Sequence, residues 1–574
     1  MMVRRSALVS SALAWMAISA WCLPAEACGG TFCDGGPMAM PVDQTGENIL
    51  FVLDGTHVDA HIQIQYQGEP SRFAWVLPVP AVPDSIEVGS EVFFQNLLSS
   101  TVPSFGFGFC GAAGTVNGGG GVALSNGSPG VEVLFKSTVG AFDVTVLRGG
   151  TAAEVTSWLS ANGYEQVSSA PTILDQYVRN NFAFVAVKLT GGAGIQAIHP
   201  LVVRYPGNTP CVPLELTAVN AVPEMRVRAF ILAQDRAVPL SYQHVELNLL
   251  KLDWVKLAAN YVDVVSVAVD SPLAGGHAFV TEYAGPSNVV TRTALYSASW
   301  DPSKFTALAP EQVIDELERQ ELVSCAAAKC TFVQPQVLPL LETYLPAPSG
   351  VDEQAFYSCL ACYPTLIDKK AWDGVAFARG LLERVVLPGR RANDALDAFP
   401  YLTRLFTTIS PEEMTLDPTF LVRSGMKGVD LRQQIACGSS YLTLPGGTTV
   451  RLNTDGSWPS FDDMPFATKI ESFTQAGDAI VLEDNALAID SALKTWNDPR
   501  ASGVGTGGAT GGANNGSGGS YGSPALGSGG ANGSADSASC ACAVVGNRAN
   551  RNLVLGLSAL LSAVFLRKRR HSAR

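Results

Sequence analysis

Polar and apolar residues alternate with a period of two through most of the first half of the chain. The clearest run is His57–Tyr66, which alternates without a break and predicts a half-buried strand. Further strands are predicted at Phe73–Leu77, Val131–Leu134, Phe142–Leu147, Phe182–Leu189, Ile198–Tyr205 and Met225–Leu232. Helical spacing is limited here to Val92–Leu98 and Ala152–Asn162. Because strands and helices do not alternate regularly, residues 28–271 predict a β-rich domain of mostly antiparallel sheet.

After Trp300 the apolar residues recur every three or four positions, which is typical of helices. The predicted helices are Pro310–Leu322, Gln336–Tyr344, Glu353–Cys362, Trp372–Val386, Ala392–Thr408 and Pro411–Met414. Residues 272–435 therefore predict a mainly helical subdomain. Strands at Tyr441–Leu444, Thr449–Leu452 and Lys469–Phe473 predict a small β-hairpin unit over residues 436–496. The predicted fold class is α+β.

Two stretches are dominated by small and polar residues. Residues 106–130 are rich in glycine and predict an insertion between strands of the β-rich domain. Residues 497–540 consist largely of Gly, Ser, Ala and Asn, with few sizeable apolar groups. Such a segment cannot bury enough apolar surface to offset its chain entropy, so we expect a disordered linker.

The N-terminal end has the pattern of a secretory signal peptide. Arg4 and Arg5 precede an apolar run, and Ala25-Glu26-Ala27 supplies a small-x-small cleavage pattern before Cys28. We therefore expect residues 1–27 to be removed and the protein to be exported to the cell envelope or cell surface. Lipidation of Cys28 and retention of the segment as an anchor are the alternatives.

The C-terminal end, residues 541–574, combines an apolar run with a basic terminus. Leu553–Leu566 is shorter than the ~20 residues of a usual membrane span, and Arg567–Arg570 follows it as a positive cluster. Together with Cys540 and Cys542, this arrangement resembles the MYXO-CTERM sorting tail of myxobacterial surface proteins. The resemblance implies membrane association, and an envelope sorting protease as a partner that removes the tail. A permanent single-pass anchor is the alternative.

The charge of the chain narrows the choice of partners. The formal net charge is −13, although both ends are basic, so the body between them is more acidic still. An acidic surface repels phosphate backbones, and nucleic acid is therefore not an expected partner.

The cysteines predict disulfides, because an exported protein matures in an oxidising compartment. The chain has 12 cysteines, and three neighbouring pairs could close small loops: Cys28 with Cys33, Cys325 with Cys330, and Cys359 with Cys362. Two alternatives stay open. Cys359 and Cys362 have the spacing of a thiol-disulfide oxidoreductase, although a helical pattern precedes them, and the four cysteines from Cys325 to Cys362 could hold zinc.

One strand carries candidate metal ligands. His57, Asp59 and His61 occupy alternate positions, so on a strand they share one face and could bind a divalent cation with help from a neighbour. Gln63 and Gln65 continue this face, which makes a solvated sheet surface the simpler interpretation. The chain lacks a zinc-protease helix motif and a phosphate-binding loop ending in Gly-Lys, and we predict neither a catalytic residue nor a cofactor.

Several separated blocks resemble a bacterial family catalogued as domain of unknown function 2330. They are Cys28–Gly30, Pro41–Gln44, Phe73–Pro80, Leu216–Val219, Pro223–Met225, Tyr401–Leu405 and Asp417–Phe420. The resemblance implies an exported protein without an assigned activity. Our hypothesis is an exported, surface-tethered binding or structural module. The alternatives are an extracellular metal-dependent enzyme whose site is assembled from distant residues, and a thiol-disulfide oxidoreductase.

Overall fold

The computed structural model describes residues 44–64, 74–107, 132–164, 170–191, 193, 195–219, 221–326, 329–435 and 440–498. All of them lie in one compact unit. The predicted signal peptide, glycine-rich insertion, linker and tail lie outside the described residues, apart from Gly106 and Phe107 of the insertion and Asn497 and Asp498 of the linker.

The strands are β1 (Gln44–Leu53), β2 (His57–Gln63), β3 (Ala74–Val79), β4 (Ser85–Val88), β5 (Ser104–Phe107), β6 (Glu132–Val139), β7 (Phe142–Arg148), β8 (Ala183–Leu189), β9 (Leu201–Pro206), β10 (Ala221–Ala233), β11 (Arg236–Pro239), β12 (Gln243–Leu247), β13 (Ala278–Pro286), β14 (Val323–Ala326), β15 (Lys329–Phe332), β16 (Tyr401–Ile409), β17 (Phe420–Arg423), β18 (Val429–Asp430), β19 (Arg432–Ile435), β20 (Tyr441–Thr443), β21 (Thr449–Arg451), β22 (Ala467–Ser472) and β23 (Ile480–Asp484). The α-helices are α1 (Glu91–Thr101), α2 (Ala152–Ala161), α3 (Ala170–Arg179), α4 (Leu214–Thr217), α5 (Tyr261–Val269), α6 (Val313–Arg319), α7 (Val337–Tyr344), α8 (Glu353–Ser358), α9 (Gly374–Leu381), α10 (Leu387–Ala398) and α11 (Ala486–Asn497).

One large sheet organises the fold. Its strand order is β23-β22-β12-β13-β16-β10-β1-β2-β9-β4, with β18 pairing beside β13. Most neighbours are antiparallel, whereas β1 with β10 and β12 with β13 are parallel. The sheet takes strands from all three of the segments 28–271, 272–435 and 436–496. The α+β class is confirmed.

A second sheet packs on one face of the large sheet. Its order is β3-β8-β7-β6, and all of its pairs are antiparallel. Apolar side chains from both sheets, such as Phe51, Val203 and Val185, form one continuous core. Helices α2 and α3 cover the outer face of the small sheet through Val155, Leu159 and other apolar residues. The first half of the chain is thus a layered structure with the sheet-sheet core at its centre.

Helices cover the other face of the large sheet. Phe93 and Leu97 of α1, with residues of α10, pack on Leu50 and Phe230 of the central strands. The α5 and α11 helices pack on the end that carries β12 and β22. Ser90 starts α1 as an N-cap, since its side chain accepts a hydrogen bond from the Phe93 backbone N–H. This cap positions α1 across the polar residues of β2.

Residues 300–386 form a separate core of helices around the β14–β15 hairpin. The described helices coincide with most of the predicted ones there. The prediction of one helix over Ala392–Thr408 is wrong in its second half, because α10 ends at Ala398 and β16 follows. Nearly every residue of β16 is buried, including the polar Thr403, Arg404, Thr407 and Thr408, so its sequence does not alternate between polar and apolar residues as a half-buried strand does. Within the described part of the chain, we find no helix with both the length and the apolar character of a membrane span.

Candidate functional site

The predicted metal ligands lie on β2 but point to different partners. The His57 Nε2 atom lies 3.3 Å from an Asp84 carboxylate oxygen. Asp59 instead accepts a hydrogen bond from Arg204 at 2.7 Å, and the same guanidinium also binds Asp54. The Asp59 carboxylate is therefore already paired with a cation.

His61 is buried below α1, where its ring meets the Phe93 ring edge to face at 6.0 Å. Burial, with Arg391 nearby, lowers the pKa of His61 to about 3, so the imidazole is neutral near pH 7. Gln63 is also buried, and it accepts a hydrogen bond from Asn48 and donates one to Glu91 at 2.7 Å. The preferred interpretation of this face as solvated is wrong at His61 and Gln63, because α1 covers them.

The three side chains consequently do not converge on one ligand position. Among the residues that the structure describes, no group of three or more His, Cys, Asp or Glu side chains is arranged to hold a metal ion. His57 has its acidic neighbours at the end of β2, and His61 has its neighbours under the helix.

Two of the predicted cysteine pairs are disulfides. Cys325 and Cys330 lie directly opposite each other in the β14–β15 hairpin and are bonded. Cys359 and Cys362 are bonded across the turn that follows α8. The four cysteines of the zinc alternative are thus joined in pairs. Cys28, Cys33, Cys540 and Cys542 lie outside the described residues.

The position of the Cys359–Cys362 disulfide bears on redox chemistry. Cys362 is exposed, whereas Cys359 is the C-cap of α8 and donates its backbone N–H to the Phe356 carbonyl at 3.2 Å. The negative end of a helix disfavours a thiolate, while catalytic dithiols use the positive end. This geometry favours a structural role for the bond.

Several strongly perturbed titratable groups gather around Asp417, at a place that the sequence did not predict. One carboxylate oxygen of Asp417 accepts hydrogen bonds from the Tyr177 hydroxyl at 3.1 Å and the Glu215 backbone N–H at 2.9 Å. The other faces the Cys211 Sγ atom at 3.9 Å. The cluster joins α3, α4 and the loop before β17, and we call these residues together with Glu47 and Thr217 the Asp417 cluster.

Glu47 extends the Asp417 cluster into the sheet-sheet core. It lies on β1, it is buried, and the Thr217 hydroxyl donates to it at 3.5 Å. Burial is the main cause that raises the pKa of Glu47 to about 7, and the nearby charge of Asp417 raises it further. Burial likewise raises the pKa of Asp417 to about 7, against its hydrogen-bond donors. Two carboxyl groups of this cluster therefore titrate close to neutral pH.

Cys211 is the one free cysteine among the described residues. Burial raises the pKa of its thiol well above the ordinary value, and the charge of Asp417 adds to this effect. Since the thiolate is the nucleophilic form, Cys211 is a weak nucleophile at neutral pH. The Asp417 cluster thus keeps its thiol protonated at neutral pH, and it links three separate segments by hydrogen bonds.

The sequence contained one signal for this cluster. Thr217 lies in the Leu216–Val219 block and Asp417 in the Asp417–Phe420 block, both of which carried the family resemblance. The structure brings the two blocks together, since the Val212 N–H donates to the Pro418 carbonyl at 3.0 Å and Cys211 forms a β-bridge with Thr419. Glu47, Tyr177 and Cys211 gave no signal, because only the folded chain places them beside Asp417.

Comparison with known proteins identifies one related region. Residues 23–299 match the family model described as an uncharacterized protein conserved in bacteria, DUF2330. No curated protein and no solved structure matches the chain. The matched region contains Glu47, Tyr177 and Cys211, whereas Asp417 lies beyond it. The similarity found by comparison is thus that of residues 23–299 to the uncharacterised bacterial family DUF2330.

Proposed function

We propose that this chain is an exported protein of the bacterial envelope, held at the surface by its C-terminal tail, whose folded body is a binding or structural module. The observation that carries the proposal is the pair of disulfides, Cys325–Cys330 and Cys359–Cys362, inside the folded body. Such bonds persist in oxidising compartments outside the cytosol and are rare within it. They agree with the signal peptide predicted at residues 1–27.

The tail and linker supply the tether. In this proposal the Gly- and Ser-rich linker predicted over residues 497–540 separates the folded body from the apolar run Leu553–Leu566 and its basic terminus. A Gly/Ser-rich coil of ~40 residues has a root-mean-square span of about 35 Å, which is enough to hold the body away from a membrane or wall. In this proposal an envelope sorting protease acts on the tail near Cys540 or Cys542.

The chemistry of the described residues supports a binding or structural role over catalysis. In the Asp417 cluster the Cys211 thiol stays protonated, and the Asp417 carboxylate accepts its hydrogen bonds from groups of the protein itself. Arg204 neutralises Asp59 in the same manner. Each of these groups is engaged in holding segments of the fold together, which is the behaviour of a structural network.

Fractionation of the native host tests the proposal. Intact cells are treated with a membrane-impermeant amine-reactive label, and the chain is recovered from the cytosolic, membrane and surface fractions. We expect labelling at the surface for the natural chain, and loss of surface retention when residues 541–574 are deleted. A double variant, Cys540→Ala with Cys542→Ala, separates tail processing from membrane insertion. Recovery of the natural chain in the cytosol with Cys325, Cys330, Cys359 and Cys362 reduced would refute the proposal.

A further inference from the structure

The large sheet ends in an exposed apolar strand. The β23 strand pairs with β22 on one side only, and among the described residues no strand pairs with its outer edge. Ile480, Val481 and Leu482 are 52%, 49% and 38% exposed. Because consecutive side chains of a strand point to opposite faces, apolar surface is exposed on both faces of the sheet at this edge. An edge strand of this kind presents free backbone N–H and C=O groups beside apolar side chains, which is the surface that β-strand addition uses.

The strand is fixed in place before any partner arrives. The Arg423 guanidinium donates to the Thr474 and Gly477 carbonyls in the loop that leads into β23. At the other end, the Asn485 N–H donates to the Thr468 carbonyl at 2.8 Å, and α11 follows. A partner would meet an ordered edge, so little ordering entropy would oppose binding.

The charges around the strand define the partner. Asp478 precedes the apolar triplet, and Glu483 with Asp484 follows it. None of these three carboxylates forms an ion pair with a described residue within 4.0 Å; Lys469, which lies opposite Asp484 in the register, binds Glu471 instead. The apolar centre of the edge is thus flanked by negative charge at both ends.

This pattern disfavours pairing between two copies of the chain. An antiparallel second copy would place Glu483 and Asp484 near the partner's Asp478, and a parallel copy would align like charges along the whole strand. Like charges directly opposite each other destabilise strand pairs. A strand with an apolar centre and Lys or Arg on both flanks would match both the apolar triplet and the negative charges at its two ends.

We propose that β23 is a docking edge to which an extended peptide segment of another protein, apolar in its centre and basic at its flanks, adds as a further strand. The inference rests on the proposed binding role and names the class of partner for it. Backbone hydrogen bonds supply the affinity, the apolar triplet supplies contacts on both faces, and Asp478, Glu483 and Asp484 select basic flanks.

The test measures binding of a fluorescent peptide, Lys-Lys-Val-Thr-Val-Thr-Val-Lys-Lys, to the purified full chain by fluorescence polarisation. One control peptide has Glu in place of every Lys, and another carries N-methyl groups on alternate residues, which remove backbone donors. We expect binding of the first peptide alone. The triple variant D478N/E483Q/D484N should bind it about tenfold more weakly at low salt, since it removes three exposed charge pairs that each contribute modestly. Leu487→Ala, on α11 beside the strand, should leave binding unchanged.

Two kinds of result would contradict the proposed docking edge. Absence of binding, or equal binding of the N-methylated or Glu-flanked peptide, would overturn the docking edge. A concentration-dependent dimer in sedimentation velocity that Val481→Asn dissolves would show that a second copy occupies the strand instead, and would also overturn it. These results concern the partner alone, because the surface-labelling experiment tests export and tethering separately.

Discussion

The buried ion pair between Arg404 and Glu282 provides the sharpest test of the central sheet. Arg404 on β16 binds Glu282 on β13, and their side chains are only 3% and 2% exposed. The Arg404 guanidinium also donates to the Leu98 carbonyl and the Thr101 hydroxyl at the end of α1, both at 3.2 Å. The Tyr261 hydroxyl donates to the second carboxylate oxygen of Glu282 at 2.9 Å.

Removal of the carboxylate in Glu282→Ala leaves the Arg404 cation buried with two neutral acceptors. Breaking a buried pair in this way costs about 3–5 kcal/mol, against a total stability of about 5–15 kcal/mol for a typical protein. The matched control is Asp397→Asn, which breaks the solvent-exposed pair with Arg292 and should change the stability little. The double variant Glu282→Leu with Arg404→Met removes both charges and should cost much less than the two single losses added together.

Urea unfolding at pH 7, followed by near-UV circular dichroism, gives these free energies. The reasoning would be refuted if Glu282→Ala destabilised the protein no more than Asp397→Asn does. It would also be refuted if the two losses at Glu282 and Arg404 were simply additive, because additivity would mean that the two charges do not interact across the sheet.

Three further predictions concern single sites. The pKa of Glu47 is raised in the folded state, so the stability that its protonated form contributes is complete below its unfolded pKa of about 4.5 and is lost as the pH rises towards about 7. This loss has a slope of at most ~1.4 kcal/mol per pH unit. Urea titrations of Glu47→Gln from pH 5 to 8 should show that the variant lacks it. Gly140 has a φ of +60°, and an added Cβ would lie 2.3 Å from the His199 Nε2 atom, so Gly140→Ala should cost about 2 kcal/mol or more in thermal unfolding, while Gly55→Ala, in open space, should cost only about 1 kcal/mol. Reduction of the Cys359–Cys362 disulfide should cost about 2 kcal/mol of stability and leave the chain without insulin-reducing activity; rapid insulin reduction would favour the oxidoreductase alternative.

Elements with a clear local period of polar and apolar residues were predictable from the sequence. The alternating run at His57 became β2, and Ala152–Asn162 became α2 with a capping box between Thr151 and Glu154. The period of two in β2 and the helical spacing in α2 are local patterns that do not depend on distant contacts. Strand β16 is covered on both faces and its polar and apolar residues do not alternate, so the prediction merged it with the preceding helix.

Long-range contacts account for the parts of the site that the sequence could not give. His61 and Gln63 alternate with the apolar residues of β2, as on a strand with one solvated face. However, α1 packs over them, so this polar face is buried. Asp417 lies 206 positions beyond Cys211, and their contact depends on how β17 and its preceding loop return to the sheet. Local periodicity carries no information on such pairings. The two disulfides were predictable because their partners are close in sequence.

The position of β16 also limits what the family similarity can mean. The matched region, residues 23–299, contains both β10 and β13, but these strands are not neighbours. Strand β16 lies between them and pairs with both along most of its length, although it comes from Tyr401–Ile409, beyond the match. Without β16 the matched region would leave two long strand edges unpaired and remove Leu402 from the core around Phe230 and Leu232, which is an unstable arrangement. The sheet that holds Glu47 and presents β23 is therefore completed only by residues from both halves of the chain, and any activity of the folded body belongs to that whole.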